Sequence, residues 1–351
     1  MKNFINILFL FIALTACTST PHCEGLSYTD FSQTRELKGT VIPLDTALFR
    51  YPFRIRIQGD KAVVMDLHGT DYFCHAFSYP EFHYISSFGK RGESPDEQIS
   101  VENIRWYGES LWSLDANKSE LTRFGCDLSG DSLFRQEAVN LDKDILRALD
   151  FVMVDDSTFI IPDYSGDNRF CRVNRQGGLL YKMGAILSSN EDAMKHARPA
   201  LAQAWRSFID YNPRNGVLAA VTQLGEVLEV FNLKDSTHVV RIGPHGEPEF
   251  KLSEGYGIPT GIMGFSDVQV TDSAIYAVFH GRSFKEIAQN ARKGIQVDGG
   301  QYIYVFNLKG EPLCKYVLDH CIYGISVNEQ KGTILATDVN KDEPIIEYTM
   351  K

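Results

Sequence analysis

From Phe53 onward, short runs of β-branched and aromatic residues alternate with turns rich in Gly, Asp, Asn and Pro. Runs of this length and composition, bounded by turn residues, predict strands rather than helices. They fall into groups of four. Unit one runs over 54–88, unit two over 104–139, unit three over 149–183, unit four over 206–242 and unit five over 266–318. Unit six, 322–348, has three strands, and there the chain ends. A spare strand lies upstream of unit one, around Arg35–Ile42. A circular array of small sheets closes when one terminus completes the blade begun by the other, which removes the open edges. Five complete units, one of three strands and one orphan strand therefore predict an all-β, six-bladed β-propeller over residues 33–351, its N-terminal strand completing the last blade.

The inner hairpins repeat at the level of residues. Leu111-Trp112-Ser113-Leu114-Asp115, then a polar turn and Leu121-Thr122-Arg123-Phe124, matches Phe159-Ile160-Ile161-Pro162-Asp163 leading to Arg169–Val173. A third copy is Ile334-Leu335-Ala336-Thr337-Asp338 leading to Ile345–Tyr348. Val230-Phe231-Asn232-Leu233-Lys234 recurs as Val305-Phe306-Asn307-Leu308-Lys309, and a Gly-x-x-Gly loop with Glu and Pro occurs at Gly89 and again at Gly243. Two stretches break the strand pattern. Ser188–Trp205 places Ala193, Ala197, Ala200, Leu201 and Ala204 on one helical face, with Ser189 or Asn190 as N-cap and Pro199 set to kink or divide it. Ser283–Arg292 has Phe284, Ile287, Ala288 and Ala291 at helical spacing, with Gly294 as its stop.

The first residues form a different pattern. Met1-Lys2-Asn3 carries one positive charge, and Phe4–Leu14 is apolar apart from Asn6. That is too short to span a bilayer and fits the apolar region of a signal peptide. It ends in Leu14-Thr15-Ala16-Cys17, which resembles the bacterial lipobox. The resemblance implies a signal peptide over 1–16, a lipid on Cys17 and a tether over 17–32. Buried acyl CH₂ groups, each contributing about 0.8 kcal/mol, would then hold the chain on the bilayer. Thr18, where Asp would retain the lipoprotein at the inner membrane, points to the outer membrane facing the periplasm. Apolar strand, Asp, polar turn, second strand and Gly-x-x-Gly loop resemble the NHL-type blade, and with the lipobox they are similar to the TolB-like six-bladed propeller lipoproteins of Bacteroidetes.

Composition narrows the function. The whole chain has 35 basic and 45 acidic residues, and the mature chain 34 and 45, a net of −11. No basic block offers the positive footprint that nucleic acid or anionic lipid needs. Beside Cys17 there are Cys23, Cys74, Cys126, Cys171, Cys314 and Cys321. Most sit inside strand-like runs, where a thiol acts as a small apolar group. Cys314 and Cys321 are the pair to examine for a disulfide. Together with His320 they lack the CxxC pair of a common metal site.

Candidate chemistry is scattered. The second strands end at Asp66, Asp115, Asp163, Thr222, His280 and Asp338. This is either a polar ring at the channel mouth, able to hold a divalent cation or sugar hydroxyls, or a set of turn caps accepting backbone N–H bonds. His68 and His280 stand outside the repeat. Arg91, in Gly89-Lys90-Arg91-Gly92, belongs to a blade-connecting turn or an anion nest. His245 lies in the second such loop, and Tyr256 is an exposed aromatic between glycines. These five are the candidate ligand-binding residues. No Gly-x-Ser-x-Gly elbow or His-Glu-x-x-His occurs, and the sequence calls for no cofactor. The long loops fall on connections that share one propeller face, which makes that face the expected working surface. The reading is a lipid-anchored, non-catalytic module binding an envelope protein or glycan. The alternative is a channel-centred enzyme, a metal-dependent lactonase-like hydrolase or a sugar lyase. Gluconolactonase-type propellers resemble this architecture, but their Glu/Asn/Asp metal positions find no match here.

Overall fold

A computed structural model describes residues 24–44, 49–126, 132–295 and 297–350; the expected signal peptide, Cys17 and Cys23 lie outside these residues. Six four-stranded antiparallel units stand in sequence as blades one to six. Their innermost strands are Pro52–Gln58, Val101–Tyr107, Val152–Asp155, Ser207–Asn212, Phe265–Val270 and Ile325–Asn328. The polar turns between apolar runs reverse the chain within each blade. Facing sheets then bury their β-branched and aromatic residues against each other. Trp112, Leu114 and Leu121 of blade two meet Phe151, Phe159 and Cys171 of blade three. Val152, Ile160 and Phe170 of blade three meet Ile209, Leu218 and Phe231 of blade four. Each fully buried side chain of this kind contributes about 1.5–3 kcal/mol.

The ring closes as expected, with an N-terminal strand completing blade six, but that strand is shorter than Arg35–Ile42. Only Thr40–Ile42 completes blade six, antiparallel to Ile345–Thr349. Gln33–Leu37 instead lies parallel to the outer strand Pro312–Ile322 of blade five, pairing Gln33 with Cys314 and Leu37 with Leu318. Glu24–Ser27, inside the expected tether, runs parallel to Thr237–Ile242 on blade four. The N-terminal segment thus edges three blades, and its strands already appear at Glu24–Ser27, ahead of residue 33. Parallel pairing to an outer edge uses backbone groups only and imposes no side-chain period, so the sequence pattern did not reveal it.

Both interruptions are helical. Helix α1 (Glu191–His196) is capped by Asn190, whose side chain accepts from the Ala193 N–H, and α2 (Arg198–Ala204) follows with Pro199 in its first turn. Their apolar residues, Ala193, Leu201 and Ala204, pack with Trp205, Leu224, Val227 and Val240 on blade four. Helix α3 (Phe284–Arg292) starts with a capping box between Ser283 and Glu286. The segment Phe250–Phe265, expected as a long loop, holds a hairpin, Phe250–Ser253 with Tyr256–Pro259. Glu254 and Gly255 form its turn, both at positive φ. By chain topology α1, α2, α3 and this hairpin all open on one face, called the long-loop face. The opposite, tight-turn face carries the short hairpin connections.

The channel is crossed by ion pairs and hydrogen bonds between blades. Asp150, Asp210 and Asp267 project from blades three, four and five, and each accepts a backbone N–H from the next blade: Ile209 at 2.9 Å, Val270 at 2.7 Å and Ile325 at 2.9 Å. Arg56 grips Asp267 with two bonds of 3.0 Å, and Arg54 lies 3.5 Å from it. Arg105 reaches Asp150 at 3.1 Å and Asp210 at 2.7 Å, and donates to the Ile209 carbonyl. Three guanidinium groups thus neutralise three carboxylates. The Arg54 guanidinium also lies over the rings of Phe53 and Phe208. Burial pushes its pKa down to about 10, partly offset by Asp267.

The five described cysteines other than Cys17 and Cys23, namely Cys74, Cys126, Cys171, Cys314 and Cys321, are free. Cys314 and Cys321 share one strand. Their places on the neighbouring strand, Val305 opposite Cys314 and Gly300 opposite Ile322, are five residues apart, about 17 Å of strand and beyond the reach of a disulfide.

Removing one partner of a buried ion pair strands the other charge and costs about 3–5 kcal/mol. Asp267→Ala, which leaves Arg54 and Arg56 without their carboxylate, is expected to lose that much in urea unfolding. Asp60→Ala, on an exposed tight turn, should stay within about 0.5 kcal/mol of wild type.

Candidate functional site

Four of the six strand-end positions are turn caps. Asp66 accepts from the backbone N–H groups of Arg50, Tyr51 and His68. Asp115 accepts from Ile99, Asn117 and Lys118. Asp163 accepts from the Ser165 N–H and hydroxyl and from Lys182. Asp338 accepts from the Asn340 N–H and lies 3.0 Å from His320 Nδ1. All four are buried and saturated. Thr222 and His280 hold the two positions without Asp. Both are buried, and Thr222 Oγ1 and His280 Nε2 have no hydrogen-bond partner. Their turns are closed by backbone alone: Gln223 N–H donates to Arg206 O at 2.7 Å and His280 N–H to Gly264 O at 2.8 Å.

His280 lines a cavity of about 650 Å³ on the long-loop face. Blade five contributes His280 and Arg282 from the end of its second strand, and the α3 insertion forms one wall through Phe284, Ile287 and Ala291. Asp298 stands where the insertion re-enters the sheet. Blade six adds Tyr323 and Asn340, and blade one adds Tyr51. The polar groups fix one another. Tyr51 Oη donates to Asp298 Oδ2, and Asn340 Nδ2 donates to Asp298 O at 2.7 Å while its Oδ1 accepts from Asp298 N–H at 2.8 Å. Arg282 donates to the carbonyls of Val297 and Gly299. A side chain at Gly300 would run into Phe279 O at 2.5 Å, so a residue without Cβ is required where this loop joins the blade.

The floor is aromatic. Tyr323 packs against Tyr51 at 5.6 Å and Phe53 at 4.8 Å, and edge-on against His280 at 5.4 Å. Burial, followed by the neighbouring Arg282, depresses the His280 pKa to about 4, so the imidazole is neutral at pH 7. Burial, then Tyr323 and Asp298, pushes the Tyr51 phenol well above its ordinary value. The site therefore presents a neutral imidazole, two phenol rings, a carboxylate, the guanidinium of Arg282 and an amide beside an apolar helix face. This mixture suits stacking and hydrogen bonding to an uncharged, hydroxyl-bearing group.

The other candidate residues are spread over the same face. His68 is exposed and flanks the cavity, its ring 5.1 Å from Tyr51. Arg91 lies over the Phe73 ring and donates to Gly69 O, bracing its own blade. His245 Nδ1 lies 2.6 Å from Glu226, which also accepts from Tyr28 Oη, so it braces a blade connection. Tyr256 projects from the hairpin, 62 % exposed. Tyr51, Asp298, Tyr323 and Asn340 escaped sequence reasoning. They come from three blades and belong to no local motif. A second cavity, of about 360 Å³, opens on the tight-turn face, with Arg56, Arg105 and Asp210 of the channel among its lining. Among the described residues no group of three or more His, Cys, Asp or Glu side chains is arranged to hold a metal ion.

Residues 30–330 match the family described as TolB-like 6-blade propeller-like, and the chain belongs to that family. Among solved structures it is similar to a Bacteroides fragilis NCTC 9343 protein described as exported, with 10% identity and a TM-score of 0.54, covering 92% of this chain and 98% of that one. A member of the DUF4221 family from Bacteroides vulgatus ATCC 8482 is similar to the same degree, with 10% identity and a TM-score of 0.54 over 90% of this chain and 98% of that one. The WD40 repeats of RRP9 share 8% identity at a TM-score of 0.52, over 89% and 97% of the two chains. At these identities the likeness is one of fold. No curated protein matches the chain.

Because His280 is held neutral, folding is penalised as the imidazole protonates. Its contribution is complete above the unfolded pKa of 6.5 and falls away as the pH drops through about 4, on the order of 3 kcal/mol in all. Urea unfolding of wild type should weaken by that amount, relative to His280→Gln, between pH 7 and pH 4. Parallel pH profiles for the two proteins would show that His280 carries no such penalty.

Proposed function

We propose that this TolB-like propeller is a lipid-anchored module of the bacterial envelope that holds a protein or glycan partner on its long-loop face. One observation carries the reading: the features that recognise ligands gather on that face. The cavity beneath α3 is there, and so is an apolar crest built by three separate connections. The crest comprises Leu146 from the blade two to three connection, Leu252, Tyr256 and Ile258 from the hairpin, and Ile295 and Val297 beyond α3, each 45–62 % exposed. Large apolar side chains left exposed on one face in this way favour an interaction surface there. A further cavity of about 470 Å³ joins the helices and the hairpin, lined by Leu149, Tyr164, Pro199, Leu224 and Met263 among others. A glycan would use the cavity floor, where Tyr51 and Tyr323 offer ring faces beside Asp298 and Asn340. A protein would cover the crest.

The lipobox resemblance at Cys17 supports the anchor, and the exported description of the B. fragilis neighbour is consistent with an envelope location. Among the described residues no helix is long and apolar enough to cross a membrane. The channel is a poorer place for the function. Its inward carboxylates Asp150, Asp210 and Asp267 are already engaged by guanidinium and backbone N–H groups. A ligand or metal there would have to displace bonds that hold the blades together.

Photo-crosslinking in cells tests the working face. A benzophenone amino acid at Tyr256 or Ile258 is expected to give discrete adducts, while the same group at Asp60 on the tight-turn face gives none. Adducts confined to Asp60, or absent at all three positions, would count against the proposal.

A further inference from the structure

We infer that the membrane-anchored protein stands on the bilayer with its tight-turn face toward the lipid, holding the cavity and the apolar crest away from the membrane. The inference rests on the lipid anchor proposed above and adds a direction to it. That direction comes from the strand Glu24–Ser27. It runs parallel to Thr237–Ile242, pairing Glu24 with Val239 and Ser27 with Ile242. Thr237–Ile242 is the fourth strand of its blade, so it begins at a tight turn, near Lys234 and Ser236, and ends at the long-loop face. A parallel neighbour must run the same way. The chain therefore enters the edge of blade four travelling from the tight-turn side, so the strand presents its N-terminal end to that side.

Chain length makes this decisive. Seven peptide steps separate Cys17 from Glu24. Fully extended, seven residues span at most about 25 Å. From Glu24 to the tight-turn end of the blade is two residues of strand plus a turn, on the order of 10 Å. That is less than half the contour. With the long-loop face down, the tether would have to reverse. It would run back past three residues of strand, about 10 Å, and then past the inserted helices, a helix diameter of about 10 Å more. That path uses nearly the whole contour.

The competing force is real, because the crest residues Leu252, Tyr256 and Ile258 are the kind that partition into a membrane interface. The tether opposes their insertion, since it would have to be held almost straight. The consequence is that the crest faces the aqueous compartment, where an apolar surface is covered by a partner rather than by acyl chains.

The test uses the processed, lipidated protein purified from bacterial membranes and reconstituted into phosphatidylcholine vesicles, so that the net acidic surface plays no part. Flotation comes first. Wild type should float with the vesicles and Cys17→Ser should not. If wild type does not float, the anchor has failed, and the orientation reading, which depends on it, goes with it. Orientation is then read with a fluorescent amino acid at Asp60 or at Tyr256 and a nitroxide on the lipid headgroup as a short-range quencher. Quenching is expected to be several-fold stronger at Asp60. Floating protein with quenching equal at the two positions, or stronger at Tyr256, overturns the orientation while leaving the anchor intact. Lengthening the tether by a Gly-Ser segment inserted after Thr18 should erase the contrast. A contrast that survives the insertion would show that the tether does not set the pose.

Discussion

The ring depends on a carboxylate of one blade accepting a backbone N–H from the next. The innermost strand of a propeller blade is an edge strand, and its inward N–H groups have no neighbour in their own sheet. Asp150, Asp210 and Asp267 supply the missing acceptors to Ile209, Val270 and Ile325, and Gln269 does the same for Val327 at 2.7 Å. Apolar packing between blades contributes far more energy in total, but it is non-directional. The acceptors set how far and at what height each blade stands from the next. Burying them requires Arg54, Arg56 and Arg105 in the same channel, because unpaired buried carboxylates would be too costly. The closure is thus one arrangement: backbone donors call for acids, and the acids call for guanidinium groups. A second buried pair works the same way farther out, where Arg169 of blade three bonds Glu229 of blade four at 2.6 Å.

That arrangement explains why the two faces differ. The tight turns are sewn to one another across blades. Asn212 and Asn215 of blade four donate to Asp272 and to Thr271 O of blade five, and Ser273 of blade five donates to Glu329 of blade six. A turn that forms part of its neighbour's hydrogen bonding cannot be lengthened without breaking the stitch. Connections on the other face are held mainly at their ends, by an Asp cap or a backbone pair, and their middles are free to grow into α1–α2, α3 and the hairpin.

Much of this architecture was legible in the chain. Short runs of β-branched and aromatic residues, Asp at the end of four of the six second strands, and turns of Gly and Asn declare blades, and counting them gives six. Helix limits were legible too: Asn190 is one of the two expected N-caps, and the apolar spacing from Phe284 to Ala291 lies within the helix Phe284–Arg292. The N-terminal segment was not, since its strands borrow backbone bonds from blades four and five and need no pattern of their own. Nor was the cavity. Tyr51 and Tyr323 are 272 positions apart, and nothing in the sequence around either announces the other. Cys314 and Cys321 misled in the opposite sense, being near in sequence and distant along one extended strand.

The repeated Asp is where legibility and function part company. A residue that recurs at equivalent places in four blades answers a need that every blade has, and here that need is a turn cap. Function requires a point on the ring that differs from the others, because a ligand is not six-fold. Blades four and five omit the Asp, and they also carry the insertions: α1–α2 leads into blade four, the hairpin joins four to five, and α3 lies within five. At Thr222 and His280 the carboxylate that caps the turn in the other four blades is absent. The unpartnered Thr222 Oγ1 and His280 Nε2 are what remains. A ring of identical caps would tie each connection down at the mouth. Leaving two of them out loosens the constraint on one arc, and on that arc the chain has built its helices, its crest and the wall of its cavity.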